Sequence, residues 1–302
     1  MASETCHSID QGRPLRIPAH IGTCAWSFDE WHGVFYPEHL PLNERLAWYA
    51  RTFGSVEIDS TFYAAPNPEI ARHWCELVPE NFVFSCKMPR TLTHERKLRD
   101  CRDLLLEFLR AITPLQPKLG AVLLQFPASF KLRNGDESAL REFLPLLPRD
   151  MRFAVEFRDV HWHLPRIATL LEEHRVAWVW NDITPLAHQN EAPFDFAPVT
   201  TDFLYVRLLG DLSTKYAGSG QRLFQYTKLM WPREGALESW AVKIRQHEAA
   251  VKLALIYANN HYEGFSPATC ERIARLLGVE VALPELPAHR EARPSAQLEL
   301  GF

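Results

Sequence analysis

The run Val155-Glu156-Phe157-Arg158 sets two charged side chains into a short apolar stretch that has the length and composition of a buried strand. Five more runs have the same form, each with a polar residue at or near its C-terminal end: Val56-Glu57-Ile58-Asp59, Phe84-Ser85-Cys86-Lys87, Leu123-Leu124-Gln125-Phe126, Tyr205-Val206-Arg207-Leu208 and Ile256-Tyr257-Ala258-Asn259. A buried charge without a partner is costly. Six such strands therefore predict one shared interior in which these polar groups meet.

Strand-like runs alternate with amphipathic segments along the whole chain. The predicted strands are 20–24, 55–59, 82–87, 120–126, 152–157, 176–181, 203–208 and 253–259. The predicted helices are 42–53, 68–77, 100–112, 137–147, 164–174, 237–247 and 267–277. This alternation predicts an α/β fold with a parallel sheet, and eight units in 302 residues favour a single-domain TIM-type (β/α)8 barrel over an open sheet.

A barrel assigns a direction to each polar residue, because inward and outward side chains alternate along a strand. If Val56 and Ile58 face the helices, then Glu57 and Asp59 face inward. The same reasoning turns six more side chains inward: Lys87, Gln125, Glu156, Arg158, Arg207 and Asn259. These residues lie toward the C-terminal ends of their strands, which is where active sites form in this fold.

The inward charges suit the binding of a phosphate or carboxylate while a carboxylate moves a proton. The predicted catalytic residues are Glu57, Asp59, Lys87 and Glu156. The predicted ligand-binding residues are Trp26, Tyr63, Gln125, Arg158, Arg207, Lys215 and Asn259. Two other interpretations stay open: a buried salt-bridge network that closes the barrel, and Schiff-base chemistry at Lys87.

Several motifs resemble the DUF72 (YecE-like) family, in the order in which that family carries them. They are residues 22–28 and 31–37, residues 56–63, residues 82–87 with Thr93-His94, Gln125-Phe126-Pro127, Glu156-Phe157-Arg158 with Trp162, Tyr205-Val206-Arg207, and Asn259-Asn260. The resemblance covers roughly residues 20–280. It implies a TIM-type barrel and says little about activity, because the family is named for an unknown function.

Three positions depart from the family pattern. Ala25 stands where a glycine is usual, and Asp59 stands where asparagine is usual, which adds a negative charge. Leu209 stands where the family often has a histidine before the glycine, here Gly210. The chain therefore lacks any histidine-based chemistry that depends on that position.

Aromatic and histidine residues beside the predicted strands have alternative interpretations. Aromatic residues that follow the first two strands could stack on a base or a sugar, or pack over the core: Trp26, Trp31, Phe35, Tyr36, Phe62 and Tyr63. Lys215 lies in a glycine-containing loop, 210–220, after the seventh strand, where barrels often bind phosphate. His94 and His261 are candidate acid/base groups. His161 and His163 favour exposed histidines over a metal pair.

Composition limits the classes of function. The net charge of −4 gives no electrostatic case for broad nucleic-acid binding, so the expected ligand is an anionic small molecule or a nucleic-acid fragment. Six scattered cysteines favour reduced thiols. No cofactor is predicted, and a divalent metal is only weakly supported. Without a signal peptide or a membrane-spanning run, the chain is expected to be cytoplasmic and away from membranes.

The two ends of the chain are predicted to lie outside the barrel. Residues 1–19 predict a polar tail, residues 20–283 the barrel, and residues 284–302 a linker rich in Pro, Glu, Arg and Ala with a short peptide motif. The last six residues resemble the peptides that dock bacterial repair proteins onto the DNA sliding clamp, with Gln297, Leu298, Leu300 and Phe302 as the partner-binding residues. The alternative is that these apolar side chains fold back onto the barrel.

Overall fold

Eight parallel strands close into a barrel in chain order, in a computed structural model that describes residues 13–182, 196–210 and 225–286. The strands are β1 (Ala19–Cys24), β2 (Ser55–Ile58), β3 (Val83–Lys87), β4 (Leu119–Gln125), β5 (Phe153–Glu156), β6 (Val176–Asn181), β7 (Phe203–Leu208) and β8 (Leu253–Ala258). Pairing of β1 with β8 completes the ring. The predicted single-domain (β/α)8 barrel is confirmed.

Helices connect the strands and cover the outside of the barrel. They are α1 (Arg45–Tyr49), α2 (Pro68–Glu76), α3 (Arg102–Ile112), α4 (Asp136–Phe143), α5 (Pro165–Glu173), α6 (Glu234–His247), α7 (Asn260–Glu263) and α8 (Ser266–Leu277). The predicted helix 42–53 is shorter than expected, because Leu42–Glu44 forms a 3-10 turn before α1. Pro68 occupies the first turn of α2, where its missing N–H costs no helical hydrogen bond.

Side chains along each strand point alternately outward and inward, as the sequence predicts. This alternation produces two apolar layers. Val56 and Ile58 pack in the large core between the strands and the helices. Leu123, Tyr205 and Tyr257 belong to a smaller cluster inside the barrel. There the Tyr257 hydroxyl lies 2.7 Å from Ser55 Oγ and 2.8 Å from Ser85 Oγ, so the barrel interior is filled by side chains rather than open as a pore.

The start of the barrel differs from the predicted boundary at residue 20. The Leu15 amide donates to the Leu277 carbonyl at 3.1 Å, and the side chains of Leu15 and Ile17 pack against the core. Arg13 pairs with Glu248 at 2.5 Å. Leu15 and Ile17 therefore pack against the barrel ahead of β1, beside the end of α8.

The described cysteines, Cys24, Cys75, Cys86, Cys101 and Cys270, are all free thiols, and all but the half-buried Cys75 are buried. This agrees with the predicted reduced state for these five residues. None of the helices in the described ranges is both long and apolar enough to cross a bilayer.

Candidate functional site

A buried ion network crosses the interior of the barrel. Arg207 on β7 donates two hydrogen bonds, one from Nη2 to Glu57 Oε1 at 2.6 Å and one from Nη1 to Glu156 Oε2. The Tyr205 hydroxyl donates to the second oxygen of Glu57 at 2.7 Å. The side chains of Glu57 and Glu156 are 0% exposed and that of Arg207 is 2% exposed. Three strands, β2, β5 and β7, are thus joined by charged hydrogen bonds within the barrel.

Arg158 connects this network to the open end of the barrel. Its Nε donates to Glu156 Oε1 at 3.0 Å, and 24% of its side chain is exposed. Burial raises the pKa of Glu156, but the guanidiniums of Arg207 and Arg158 outweigh burial and lower it to about 2. Glu156 therefore stays ionised at neutral pH, where it is a poor proton acceptor. This geometry favours the salt-bridge interpretation for the sealed part of the network.

Lys87 and Asp59 lie above the sealed network, at the carboxyl ends of β3 and β2. The Lys87 ammonium lies 3.3 Å from Asp59 Oδ1 and 4.2 Å from the centre of the Phe62 ring. Asp59 begins a 3-10 turn, Asp59–Phe62, and Thr61 Oγ1 fastens that turn by donating to the Lys87 carbonyl at 2.7 Å. The Lys87 side chain is 10% exposed. No acceptor in the described ranges meets its ammonium in hydrogen-bonding geometry.

His94 lies at the same corner of the open end. Its ring stands edge-on to Phe62, with centroids 4.9 Å apart. Burial, together with the charges of Lys87, Arg158 and Arg90, lowers the pKa of His94 to about 4. The imidazole is therefore neutral at physiological pH and sits among cations.

The Thr93 hydroxyl is the hydrogen-bond partner of the His94 ring. Thr93 Oγ1 lies 2.9 Å from His94 Nδ1 and 3.4 Å from the Pro89 carbonyl oxygen. In the tautomer in which Nδ1–H donates to this hydroxyl, the lone pair lies on Nε2, and His94 can then accept a proton there.

The other predicted ligand-binding residues take different positions. Gln125 is buried, and its Nε2 donates to the Phe126 carbonyl at 2.5 Å. Asn259 caps α7, with Oδ1 accepting from the His261 amide at 3.0 Å. Trp26 packs edge-on against Trp74, whereas Tyr63 is 80% exposed beside Phe62. Lys215, Gln297, Leu298, Leu300 and Phe302 lie outside the described residues.

Most of the aromatic residues after β1 belong to the core. Trp31, Phe35 and Tyr36 are 0% exposed and pack against one another. The packing interpretation is therefore correct for these three. Two aromatic residues lie instead at the open end of the barrel, where they pack edge-on against each other: Phe62 beside Lys87, and the exposed Tyr63.

Sequence reasoning missed Asp182, which directly follows β6. Its Oδ1 accepts from the Leu209 amide at 2.8 Å and from the Gly210 amide at 3.2 Å, and burial raises its pKa. Gly210 has φ 68°, and a Cβ there would lie 2.6 Å from the His261 carbonyl oxygen. The available signal was an acidic residue directly after an apolar strand, the same signal that identified Asp59.

The histidine pair after β5 does not form a metal site within the described ranges. His161 Nδ1 lies 2.8 Å from Asp159 Oδ1, and the same carboxylate accepts from the His161 amide. The His163 ring stacks on Phe196 with centroids 5.6 Å apart, and burial lowers its pKa to about 4. In residues 13–182, 196–210 and 225–286, no three His, Cys, Asp or Glu side chains come together as metal ligands.

Each departure from the family pattern has a structural counterpart. Ala25 has φ 93°, in the region of backbone space that glycine occupies without strain. Asp59 is the carboxylate that faces Lys87. Leu209 is 2% exposed inside the barrel, so the position where the family often has a histidine supplies no titratable group.

Comparison with known proteins gives a consistent result. The family model described as "Protein of unknown function DUF72" matches residues 20–294. The UPF0759 protein YecE of Escherichia coli (strain K12) is 39% identical over 139 residues, which is 46% of this chain and 48% of YecE, so the chain spans about half the length of this curated relative. The UPF0759 protein YunF of Bacillus subtilis (strain 168) is 24% identical over 274 residues, 86% of this chain and 95% of YunF.

Solved structures of the same family share the fold. A DUF72 family protein from Thermotoga maritima MSB8 has a TM-score of 0.72 and 27% identity, over 86% of this chain and 99% of the other. A DUF72 family protein from Enterococcus faecalis V583 has a TM-score of 0.69 and 20% identity, over 89% of this chain and 99% of the other.

Proposed function

This chain belongs to the DUF72 family, and on that basis we propose that its barrel binds an anionic, phosphate- or carboxylate-bearing ligand at the carboxyl ends of the strands. The observation that carries the proposal is the Lys87 ammonium, whose side chain is 10% exposed and which Asp59 Oδ1 faces at 3.3 Å without a hydrogen bond. This ion pair leaves the three N–H donors of the ammonium available to a ligand. An anion that enters beside Asp59 would accept hydrogen bonds from them.

Arg158 would be the second contact for the anion. Its Nε is held by Glu156, which fixes the direction of the guanidinium, while its exposed fraction leaves the terminal nitrogens accessible. The sealed pair of Glu57 and Arg207 then has a supporting role, because it holds Glu156 and through it Arg158. Rigid support of this kind places charged donors without reorganisation when the ligand arrives.

The same corner would suit hydrolysis of a phosphate ester. Lys87 and Arg158 would neutralise the non-bridging oxygens, and His94 Nε2 would accept the proton of the water that attacks phosphorus. The ester P–O bond would break, and the leaving oxygen would take a proton from His94 or from solvent to depart as an alcohol. Exposed Tyr63 beside Phe62 offers an aromatic face for a base or a sugar, which favours nucleotides and short nucleic-acid fragments as substrates. We therefore propose a phosphoester hydrolase acting in nucleic-acid metabolism.

The test is calorimetric titration of phosphate, adenosine monophosphate and a dinucleotide into the wild-type protein and into Lys87→Met and Arg158→Gln. We expect both variants to weaken binding by about tenfold or more, since each removes a charge-assisted contact. Hydrolysis of a chromogenic phosphodiester should fall in His94→Gln while its ligand affinity changes little. Equal affinities in all the proteins would exclude the proposed site.

A second function rests on the peptide Gln297-Leu298-Glu299-Leu300-Gly301-Phe302 alone. Its glutamine, spaced leucines and phenylalanine favour docking onto a bacterial sliding clamp, which would make the protein an adaptor recruited to DNA processing. Micromolar binding to the clamp that disappears in a variant ending at Ala296 would support this function. Unchanged binding by the shortened variant would refute it.

A further inference from the structure

A cavity of about 480 Å³ opens at the amino ends of the strands, on the face opposite the candidate site. It lies beneath β4 to β7, and Arg149, Arg152 and Arg175 line it together with Asp150, Asp202 and Phe203. Its volume falls within the range of about 300–1,000 Å³ that is typical of small-molecule sites. Neither the sequence patterns nor the family assigns it a ligand.

The charges around this cavity are unbalanced. Asp202 lies 3.2 Å from Lys252, in an ion pair whose two side chains are exposed. Within the part of the chain that the structure describes, Arg149, Arg152 and Arg175 have no carboxylate within ion-pairing distance. Three arginines and two aspartates line the cavity, and with Lys252, the partner of Asp202, the formal charge is 4 − 2 = +2 around one concave surface. Like charges that converge in this way repel one another unless an anion joins them.

Two of the arginines flank the cavity directly before neighbouring strands, and their side chains are exposed to solvent. Arg152 directly precedes β5, its carbonyl accepts from the Val122 amide at 2.8 Å, and its guanidinium lies 5.9 Å from the centre of the Phe203 ring. Arg175 directly precedes β6 and has φ 56°. Glycine or asparagine is the usual residue in that left-handed position after a helix, so an arginine there keeps its side chain at a cost in backbone strain.

We propose that this cavity is a second anion site, which binds a phosphorylated small molecule at the amino-terminal face of the barrel. Arginines match phosphate through paired N–H donors, and a charge of +2 complements a phosphate dianion. Phe203, which also lines the cavity, gives the ligand's carbon skeleton an apolar surface. Active sites of such barrels lie at the opposite face. The ligand here is therefore an effector or an anchor rather than a substrate, and this proposal is independent of the proposed function.

The experiment is titration of inorganic phosphate and adenosine monophosphate into protein carrying Lys87→Met, which disables the opposite face, with Arg158→Gln as the alternative background should Lys87→Met fail to fold. Arg149→Gln with Arg175→Gln should weaken the remaining binding by at least tenfold. Asp150→Asn should tighten it about threefold, since it removes the opposing charge. Arg72→Gln is the matched control, because Arg72 is an exposed arginine on α2 without a described partner.

Opposite responses of the arginine and aspartate variants, with no response to Arg72→Gln, would establish the site. Binding that survives the double arginine variant would overturn it, as would an equal loss in Arg72→Gln, which would indicate a general charge effect. Absence of binding in the Lys87→Met and Arg158→Gln backgrounds, when the wild-type protein binds, would place all the affinity at the other face and would also refute the second site.

Discussion

At the scale of single residues, Asp59 controls the charge that Lys87 offers to a ligand. The carboxylate lies 3.3 Å from the ammonium, so it competes with an incoming anion and repels it. We predict that Asp59→Asn binds phosphate about fivefold more tightly than the wild type, as removal of one nearby negative charge implies. Titration calorimetry measures this directly. Weaker binding in Asp59→Asn would mean that Asp59 itself contacts the ligand.

Ala25 is a second residue whose effect can be measured alone. A φ of 93° strains the backbone of any residue that carries a Cβ, whereas glycine adopts this angle freely. We predict that Ala25→Gly raises the free energy of unfolding by about 0.5–1 kcal/mol, which is the relief of strain less the entropy that glycine adds to the unfolded chain. The melting temperature should rise by a few degrees. The control, Ala64→Gly, changes an exposed loop residue with an ordinary φ and should be neutral or slightly destabilising.

His94 makes stability depend on pH. Its pKa is about 4 in the folded protein and 6.5 in the unfolded chain, so between these values the unfolded state binds more protons. The free energy of unfolding should therefore fall as the pH drops from 7.5 to 5. We predict a smaller fall in His94→Gln, measured by urea unfolding at both values. An unchanged fall would show that the pKa of His94 is the same in the folded protein and in the unfolded chain. His163, whose pKa is also about 4, supplies part of the wild-type effect.

At the scale of the elements, the strands are joined by the ion network, and its members differ in burial. Arg207→Met would leave Glu57 and Glu156 buried without their shared cation, so we predict a loss of about 3–5 kcal/mol. Arg158→Met removes a partly exposed partner and should cost about 1 kcal/mol or less. Denaturant unfolding of both variants tests this. Equal losses would mean that the network does not join the strands.

The sequence was sufficient to predict that Glu57, Glu156 and Arg207 meet inside a barrel. Strand alternation and the cost of a lone buried charge lead to no other arrangement. It could not separate sealed residues from accessible ones, because that depends on depth along the strand. Glu156 is the last residue of β5 and is fully buried, whereas Arg158, two positions later, is partly exposed.

Some features of the candidate site depend on contacts between distant segments. Burial lowers the pKa of His94, and so do Lys87 at the end of β3 and Arg158 after β5. Asp182 accepts from amides that follow β7. No local pattern carries this information. Ala25 differs, because a local pattern did identify it. The sequence showed an alanine where the family usually has glycine, and the structure gives this residue a positive φ.

At the scale of the whole molecule, the barrel carries cationic groups at both ends. In its interior, arginine and glutamate side chains pair with one another. Lys87 and Arg158 lie at the carboxyl ends of the strands, and three arginines line the cavity at the amino ends. The sealed network between them ties the strands together. This organisation separates the proposed site of chemistry from the proposed second anion site, so each can be disabled without the other.

The most direct test of the central claim is anomalous diffraction from a crystal soaked in tungstate, a heavy analogue of phosphate. We predict a peak within hydrogen-bonding distance of Lys87 Nζ and the terminal nitrogens of Arg158, and its loss in crystals of Lys87→Met. A peak at that position that persists in Lys87→Met, or tungstate bound elsewhere with none beside Lys87, would contradict the claim that this end of the barrel is an anion-binding site.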